Sequence, residues 1–275
     1  MIPMDDLYVL KFGGNAIRGK EAMLRLGGEI AQMMKDGAKV ILVHGGGPEI
    51  SEEMERRGLK PKKVAGVRVT DADGLEVAEK VLSNLNKDVV ECLTESGVQA
   101  IGMPGYHCTL CVKKAPVETE EDGKKVTVDM GLVGEVSECD PTALMDLLEM
   151  NIVPVIYPIG KDKDGNKLNV NADTMVAGIA ANVSCKEMIA ITDVPGILMD
   201  VNDPGSKLDK VTLKDIDDLI GKGVISGGMV PKVEACRKAI LAGVSEVRMV
   251  NGTDPECIVA DVMKEGSLRG TVITK

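Results

Sequence analysis

Two glycine runs stand where short apolar segments give way to helical patterns, and both could bind an anion. The first is Lys11-Phe12-Gly13-Gly14-Asn15 and the second is His44-Gly45-Gly46-Gly47-Pro48. Glycine N–H groups at a helix start can bind a phosphate or carboxylate, and Lys11 could stabilise charge that develops beside them. For the first run, a tight turn that merely requires glycine is an equally open interpretation. For the second we favour anion binding, because three glycines cost conformational entropy and Pro48 suits a first helical turn. Neither run matches the P-loop, and we expect His44 to be a buried, hydrogen-bonded imidazole rather than a base.

Lys232 lies where a helix is expected to begin, which is an unusual place for a cation. The flexible segment Ser226-Gly227-Gly228-Met229 precedes it. A lysine in the first turn opposes the helix dipole, so an anion bound there would explain its presence.

Side chains that could hold a carboxylate occur at two further places. Arg68, in the segment VRVTD at 67–71, could donate two hydrogen bonds to a carboxylate, although its neighbours alone favour a solvated charge. Asn169, Asn171 and Asp173 alternate along the chain, so in an extended segment they would face one side. Two amides there could orient a substrate while the carboxylate positions lysines or a metal-bound phosphate. The alternative is an Asn-rich turn in which Asp173 caps a helix.

Two other segments have residue types found in functional sites. Thr192-Asp193-Val194-Pro195-Gly196 follows an apolar run, at a place where open α/β sheets bind ligands. His107-Cys108-x-x-Cys111 invites a metal or redox interpretation, but the chain has 2 histidines in all and no second ligand pair at zinc spacing. We therefore interpret these cysteines as structural thiols.

Short apolar runs alternate with helical patterns along most of the chain, which predicts an α/β fold with a largely parallel central sheet. We predict strands over residues 7–12, 39–44, 99–103, 153–157, 188–192, 246–250 and 270–274. We predict helices over residues 20–35, 48–57, 141–150, 173–182, 212–222, 231–242 and 255–264. The clearest helix has an apolar stripe at Leu75, Ala78, Leu82, Leu85, Val89 and Cys92, with Asp71 as its predicted cap.

Polar segments interrupt this alternation twice. Residues 111–136 alternate around an Asp-Gly-Lys-Lys tip and predict a β-hairpin. Residues 160–168 could form a second hairpin or connect two lobes. We place a domain boundary there, with an N-terminal lobe over 1–165 and a C-terminal lobe over 166–275.

Composition excludes several classes of protein. The 275 residues are 44% hydrophobic and 28% charged, as in globular proteins, which excludes a disordered chain. A net charge of −10 with no Trp, 1 Phe and 3 Tyr argues against nucleic-acid binding. No apolar stretch approaches the roughly 18–20 residues of a membrane span, and no signal peptide is expected at the N-terminus. The 7 scattered cysteines are typical of reduced thiols, so we expect a cytoplasmic protein with no membrane partner.

Taken in order, these segments resemble the amino acid kinase family, and within it the acetylglutamate kinases. The matching pieces are KFGGN at 11–15, VHGGGPEI at 43–50, GVRVTD at 66–71, NK at 86–87, GLVGEV at 131–136, VPVIYPIG at 153–160, NVNAD at 169–173, TDVPGIL at 192–198 and GGMVPKV at 227–233. The resemblance implies an open three-layer αβα sandwich whose N-terminal lobe binds acetylglutamate and forms a homodimer, while the C-terminal lobe binds ATP. The implied reaction is phosphorylation of the side-chain carboxylate of N-acetyl-L-glutamate, a step of arginine biosynthesis, with Mg²⁺ held mainly by the ATP phosphates.

The resemblance also implies residue roles. Lys11 and Lys232 would neutralise the transferring phosphoryl group, with Asp173 organising both lysines. Substrate binding would fall to Gly46, Gly47, Arg68, Asn169 and Asn171. Nucleotide binding would fall to Gly13, Gly14, Asp193, Gly196, Leu198, Gly227, Gly228 and Met229.

Three departures from the family pattern bear on specificity and regulation. Gly105-Tyr106-His107-Cys108 replaces the usual Gly-Lys-Asp-Gly turn beside the substrate lobe. Glu256 and Asp261 replace a His and a Glu of the arginine-inhibited members, which also carry a helix before the first strand. Two alternatives stay open: a related kinase for aminoadipate or glutamate on a carrier protein, and a non-catalytic regulatory subunit.

Overall fold

The helices and strands alternate as the sequence predicts. The computed structural model describes residues 6–13, 16–121, 124–253, 259–264 and 266–275. Within these ranges the strands are β1 (Leu7–Phe12), β2 (Lys39–His44), β3 (Lys63–Val64), β4 (Val67–Arg68), β5 (Ala100–Pro104), β6 (Thr109–Lys113), β7 (Val117–Glu121), β8 (Lys124–Val128), β9 (Val133–Cys139), β10 (Val153–Tyr157), β11 (Ile159–Lys161), β12 (Lys167–Val170), β13 (Glu187–Thr192), β14 (Lys210–Thr212), β15 (Val247–Asn251) and β16 (Thr271–Thr274). The α-helices are α1 (Gly19–Lys35), α2 (Gly47–Arg56), α3 (Ala72–Glu95), α4 (Thr142–Glu149), α5 (Ala172–Val183), α6 (Leu213–Gly221) and α7 (Met229–Leu241). Shorter 3-10 helices cover Gly105–His107, Pro204–Ser206 and Val259–Met263.

A central sheet with strand order β14-β16-β15-β13-β1-β2-β10-β5 organises the fold. From β15 to β5 all neighbouring strands are parallel, and only the β15–β16 pair is antiparallel. The central strands are apolar throughout because both faces of the sheet are covered. Leu7 and Val9 of β1 pack into one apolar cluster, and Tyr8 and Leu10 pack into the other.

Helices cover both faces and complete the predicted three-layer αβα sandwich. Helix α1 and the C-terminal half of α3 bury their apolar residues in the cluster that contains Tyr8. The N-terminal half of α3 packs against α2 in a smaller cluster that contains Leu82 and Met54. Helices α4, α5, α6 and α7 bury their apolar residues in the cluster that contains Leu7. No described helix combines the length and apolar character needed to cross a bilayer.

The N-cap residues of α3 and α5 can be compared with those predicted from the sequence. Asp71 caps α3 as predicted, because its carboxylate accepts a hydrogen bond from the Gly74 N–H at 2.8 Å. The interpretation of Asp173 as the cap of α5 is wrong. Asn171 is the cap, and its side-chain oxygen accepts from the Asp173 N–H at 2.7 Å. The Asp173 carboxylate is thereby left free to contact a lysine.

A four-stranded sheet, with order β11-β12-β9-β6, lies beside the central one. The predicted hairpin over 111–136 contains the antiparallel pair β7–β8. Residues 122–123 of its predicted tip at 122–125 lie outside the described residues, and residues 124–125 belong to β8. The polar segment at 160–168 is a hairpin, formed by β11 and β12. The proposed lobe boundary at residue 165 falls in its turn and stays a prediction.

The predicted helix over 255–264 is only partly within the described residues. Residues 254–258 lie outside them, and residues 259–263 form a 3-10 helix rather than an α-helix. Glu256 is therefore not described.

Candidate active site

The first two glycine runs meet at the carboxyl edge of the central sheet, because they follow neighbouring parallel strands. The Gly45 N–H donates to the carbonyl of Phe12 at 2.9 Å. A Cβ atom at Gly13 would lie 3.4 Å from the Gly45 backbone, so the two chains approach closely. Gly14 lies outside the described residues. The two glycine runs are therefore in direct contact at this edge of the sheet.

A cavity of about 370 Å³ opens at this edge and brings together residues that are far apart in the sequence. It includes eight residues predicted for catalysis, substrate binding or nucleotide binding, namely Lys11, Gly13, Gly46, Gly47, Arg68, Asn169, Asn171 and Asp173. Helix α2 begins at Gly47 with Pro48 in its first turn, as predicted, so the glycine run lies at the positive end of a helix dipole. The cavity is therefore suited to an anionic ligand.

Arg68 is buried, and the interpretation of it as a solvated charge is wrong. It is 6% exposed, and its Nη2 donates to the Gly47 carbonyl at 2.9 Å and to Ser51 Oγ at 2.7 Å. No carboxylate in the described part of the chain forms an ion pair with it. Burial lowers the pKa of the guanidinium below its ordinary value. A buried cation without an acidic partner is favourable when a ligand supplies the anion.

The Asn169 side chain is held by a hydrogen bond to Thr70, a residue that does not itself line the cavity. Thr70 is fully buried, and its hydroxyl donates to the Arg68 carbonyl at 3.0 Å while accepting from Asn169 Nδ2 at 3.0 Å. Leu168 and Val170 pack into the core, so the alternation along β12 turns Asn169 and Asn171 to the cavity side, as predicted. Asn169 keeps its amide oxygen and one N–H for a ligand, because Thr70 occupies only one of its donors.

The two candidate catalytic lysines have different acidic partners. Lys11 Nζ lies 2.8 Å from Asp173 Oδ1, with both side chains half-buried. Lys232 Nζ instead contacts the Asp193 carboxylate, and among the described ion pairs Asp173 contacts Lys11 only. In this structure Asp173 thus contacts one of the two lysines that it is predicted to organise, and the organising role itself stays a prediction. The contact with Lys232 holds the pKa of Asp193 below its usual value.

Helices α5 and α7 lie side by side, which places the two lysine pairs in one region. Strand β13 pairs with β1, so Asp193 follows a strand that neighbours the one carrying Lys11. Cys236, one turn beyond Lys232, is buried, and burial together with the charge of Asp173 raises the pKa of its thiol to about 12. The start of α5 therefore lies close to the part of α7 around Cys236.

The remaining residues predicted for nucleotide binding lie at the start of α7 and in the segment after β13. Gly227 (φ +54°) and Gly228 precede α7, and Met229 is its first residue. Gly196 (φ +136°) packs on β16, where a Cβ atom would lie 2.4 Å from Thr271 Oγ1. Leu198 forms an isolated bridge with Lys207. Packing alone thus requires glycine at 196, whatever its role toward a nucleotide.

Sequence reasoning missed three residues that contribute to this cavity. Lys63 lines it from the β3–β4 hairpin, Ser51 contacts Arg68, and Thr70 holds Asn169. A signal existed for Thr70, because strand alternation places residues 68 and 70 on one face. Ser51 lies one helical turn after Gly47, but nothing local links it to Arg68.

The histidine and cysteine interpretations agree with the structure. His44 is fully buried with both ring nitrogens hydrogen-bonded, and burial lowers its pKa to about 4. Cys108 and Cys111 are buried free thiols, and burial raises the pKa of Cys108 to about 12. Among the described residues, no three His, Cys, Asp or Glu side chains form a metal-binding group.

Comparison with known proteins identifies the family. The family model for the amino acid kinase family matches residues 6–251. The chain is 38% identical to the acetylglutamate kinase of Methanococcus maripaludis strain C5, over 98% of this chain and 92% of that protein. It is 39% identical to the acetylglutamate kinase of Methanosarcina mazei, over 98% of this chain and 93% of that protein. A crystal structure of a Streptococcus mutans protein superposes with a TM-score of 0.75 at 27% identity, covering 98% of this chain and 99% of that one. With a parallel sheet, a glycine-lined anion cavity and similarity along almost its whole length, the chain belongs to the amino acid kinase family.

Proposed function

We propose that this protein transfers the γ-phosphoryl group of ATP to the side-chain carboxylate of N-acetyl-L-glutamate, a step of arginine biosynthesis. The observation that carries the proposal is Arg68, a buried guanidinium that lacks an acidic partner among the described residues and faces the same cavity as Lys11 and Asn169. An acylated dicarboxylic amino acid has one carboxylate for Arg68, an amide for Asn169 and a second carboxylate to react near Lys11. The similarity to acetylglutamate kinases over almost the whole chain supports the same substrate.

The chemistry requires charge stabilisation more than acid–base catalysis. A carboxylate oxygen of the substrate attacks the γ-phosphorus, the bond to the β–γ bridging oxygen breaks, and ADP leaves with that electron pair. The attacking carboxylate is already ionised, so no strong base is required. Lys11 and Lys232 stabilise the negative charge of the transferring group, and the N–H groups of Gly46 and Gly47 add fixed dipoles.

The nucleotide lies, in this proposal, beside β13 and the start of α7. Asp193, Gly196, Leu198, Gly227, Gly228 and Met229 contact it, and Gly13 and Gly14 approach its phosphates. Lys232 exchanges its contact with Asp193 for the phosphates when ATP binds, which accounts for a lysine in a first helical turn. Mg²⁺ is held mainly by the ATP phosphates, since the nearby carboxylates of Asp173 and Asp193 already contact lysines.

The wider organisation follows the family. The lobe over 1–165 binds the amino-acid substrate and dimerises, and the lobe over 166–275 binds ATP. We propose a cytoplasmic homodimer. Sedimentation of the purified protein tests the dimer, because a monomeric mass at micromolar concentration contradicts it.

The function is tested by trapping the acyl phosphate as a hydroxamate. N-acetylglutamate, free glutamate and 2-aminoadipate are compared with MgATP under the same conditions. A signal that requires N-acetylglutamate supports the proposal. Silence with all three substrates, together with measurable MgATP binding, favours a carrier-bound substrate or a regulatory subunit instead.

A further inference from the structure

We propose that His44 and Asn86 are a buried positioning pair that aims the Gly46 N–H at the transferring phosphoryl group. Neither side chain lines the cavity of the candidate active site. Both act through the peptide that joins Gly45 to Gly46. The inference rests on the proposed phosphoryl transfer, and it assigns a role to two residues outside the catalytic set.

The hydrogen bonds around His44 define which ring nitrogen carries the proton. Asn86 Nδ2 lies 3.0 Å from His44 Nε2 and also 3.0 Å from the Val155 carbonyl. The Val155 carbonyl can only accept a hydrogen bond, so the Asn86 atom that faces both Val155 and His44 is the amide nitrogen and not the amide oxygen. An amide nitrogen can only donate, so Nε2 accepts and Nδ1 carries the proton. Nδ1 then donates to the Gly45 carbonyl oxygen, 2.9 Å away.

The Asn86 amide has little freedom to turn over. Asn86 is 4% exposed on α3 and lies against strands β10 and β5. A Cβ atom at Gly102 of β5 would lie 1.9 Å from Asn86 Oδ1, so glycine is required to make room for this side chain. Rotation of the amide would also break its bond to Val155. The backbones of β5 and β10 therefore hold the Asn86 amide in one orientation, and the amide in turn sets which nitrogen of His44 carries the proton.

Peptide geometry carries this orientation to the cavity. In a trans peptide the C=O and the following N–H point in opposite directions. Because the Gly45 oxygen is held by the buried imidazole, the Gly46 N–H points away from it. Gly46 is buried and lines the cavity with Lys11. Within the described residues its N–H has no hydrogen-bond partner, which is uncommon for a buried amide unless a ligand accepts from it.

The expected consequence is an effect on turnover rather than on substrate affinity. A donor aimed at charge that develops in the transition state contributes to kcat, and loss of one such donor costs about 10²–10³-fold. His44→Leu removes the Nδ1 donor and lets the peptide rotate without deleting the Gly46 N–H. We therefore expect kcat to fall about 10- to 100-fold, with the KM for N-acetylglutamate changed by less than about threefold.

Two matched variants separate positioning from simple packing. His44→Asn places an amide donor near the position of Nδ1 and should restore most of the kcat that His44→Leu loses. His107→Asn makes the same substitution at the chain's other histidine, in a separate cavity, and controls for the substitution itself. An equal loss of kcat in His44→Asn and His44→Leu, with both folded, overturns the proposal.

A spectroscopic measurement keeps the proposal testable if the His44 variants fold poorly. With 2 histidines in the chain, nitrogen-15 NMR of the labelled wild-type imidazoles is assigned by the His107→Asn spectrum alone. We expect a protonated Nδ1 and a bare Nε2 for His44 at pH 7. A proton on Nε2 overturns the inference even when the wild type is an active kinase. Failure of the proposed function appears separately, as a wild type that forms no hydroxamate with N-acetylglutamate.

Discussion

Acid should destabilise this protein through His44, and the size of the effect follows from its burial. The side chain is fully buried, and burial lowers its pKa from an ordinary 6.5 to about 4. The unfolded chain therefore binds the proton more tightly than the folded one between these two values. The His44 contribution to stability is fully present above pH 6.5 and is lost as the pH falls to about 4. Lowering the pKa from 6.5 to about 4 corresponds to about 3 kcal/mol of unfolding free energy.

Urea unfolding of the wild type and of His44→Asn at a series of pH values between 7 and 4 measures this contribution. Other acids titrate in the same window, so the informative quantity is the difference in unfolding free energy between the two proteins. At pH 7 the variant should be the less stable of the two because it loses ring packing. That deficit should shrink by about 3 kcal/mol toward pH 4. At this pH His44 is protonated in the unfolded wild type, and it must lose that proton to be buried when the chain folds, whereas the asparagine side chain of the His44→Asn variant has no proton to lose. A difference that stays constant across the series refutes the reasoning, and His107→Asn is the matched control.

Three further predictions follow from the active-site contacts. Lys232→Ala should lower kcat by about 10²–10³-fold in the hydroxamate assay, because it removes a cation from the transferring phosphoryl group, and unchanged turnover contradicts the kinase assignment. Arg68→Lys should raise the KM for N-acetylglutamate about 10- to 100-fold while leaving the KM for ATP unchanged. The reason is that an ammonium group cannot replace the bidentate hydrogen bond of a guanidinium to a carboxylate, which is worth about 1.5–3 kcal/mol. Equal effects on both KM values would count against the assigned substrate contact. Gly131→Ala should destabilise the fold by about 2–4 kcal/mol in urea unfolding, because Gly131 has φ +72° and a Cβ atom there would lie 2.1 Å from the Thr70 carbonyl oxygen. Ordinary surface substitutions change stability by about 0.5 kcal/mol, so a change of about that size would contradict this close contact.

Local rules predicted seven of the eight strands of the central sheet and missed the short edge strand β14. Strands β1, β2 and β10 have the predicted bounds, because each is an apolar run that ends at glycine, proline or a polar residue. Asp71 caps α3 as predicted, since a cap depends on residues only three positions apart. The same locality explains an error at α5. Asn171 and Asp173 are both good caps, and the sequence offered no way to choose between them.

Many residues that line the candidate cavity could also be predicted from the sequence, but their ion-pair partners could not. Glycine runs after strands, a lysine at a helix start and alternating amides are local patterns, and eight of the predicted residues line one cavity. Their ion pairs join elements that are distant in sequence, such as β13 with α7 for Asp193 and Lys232. Which of two nearby carboxylates a flexible lysine contacts depends on how helices pack, and no pattern in the sequence encodes that distance.

The sequence by itself determined the order of strands and helices, the glycine-rich turns and the family, because these depend on residue types at short spacing. Only the tertiary structure decided that Arg68 is buried, that Thr70 holds Asn169 and that Asn86 orients His44. Residues 44 and 86 meet because α3 packs against the sheet beside β2 and β10. The free energy of such a contact comes from excluding water around both side chains, and burial of that kind exists only when the whole core is assembled.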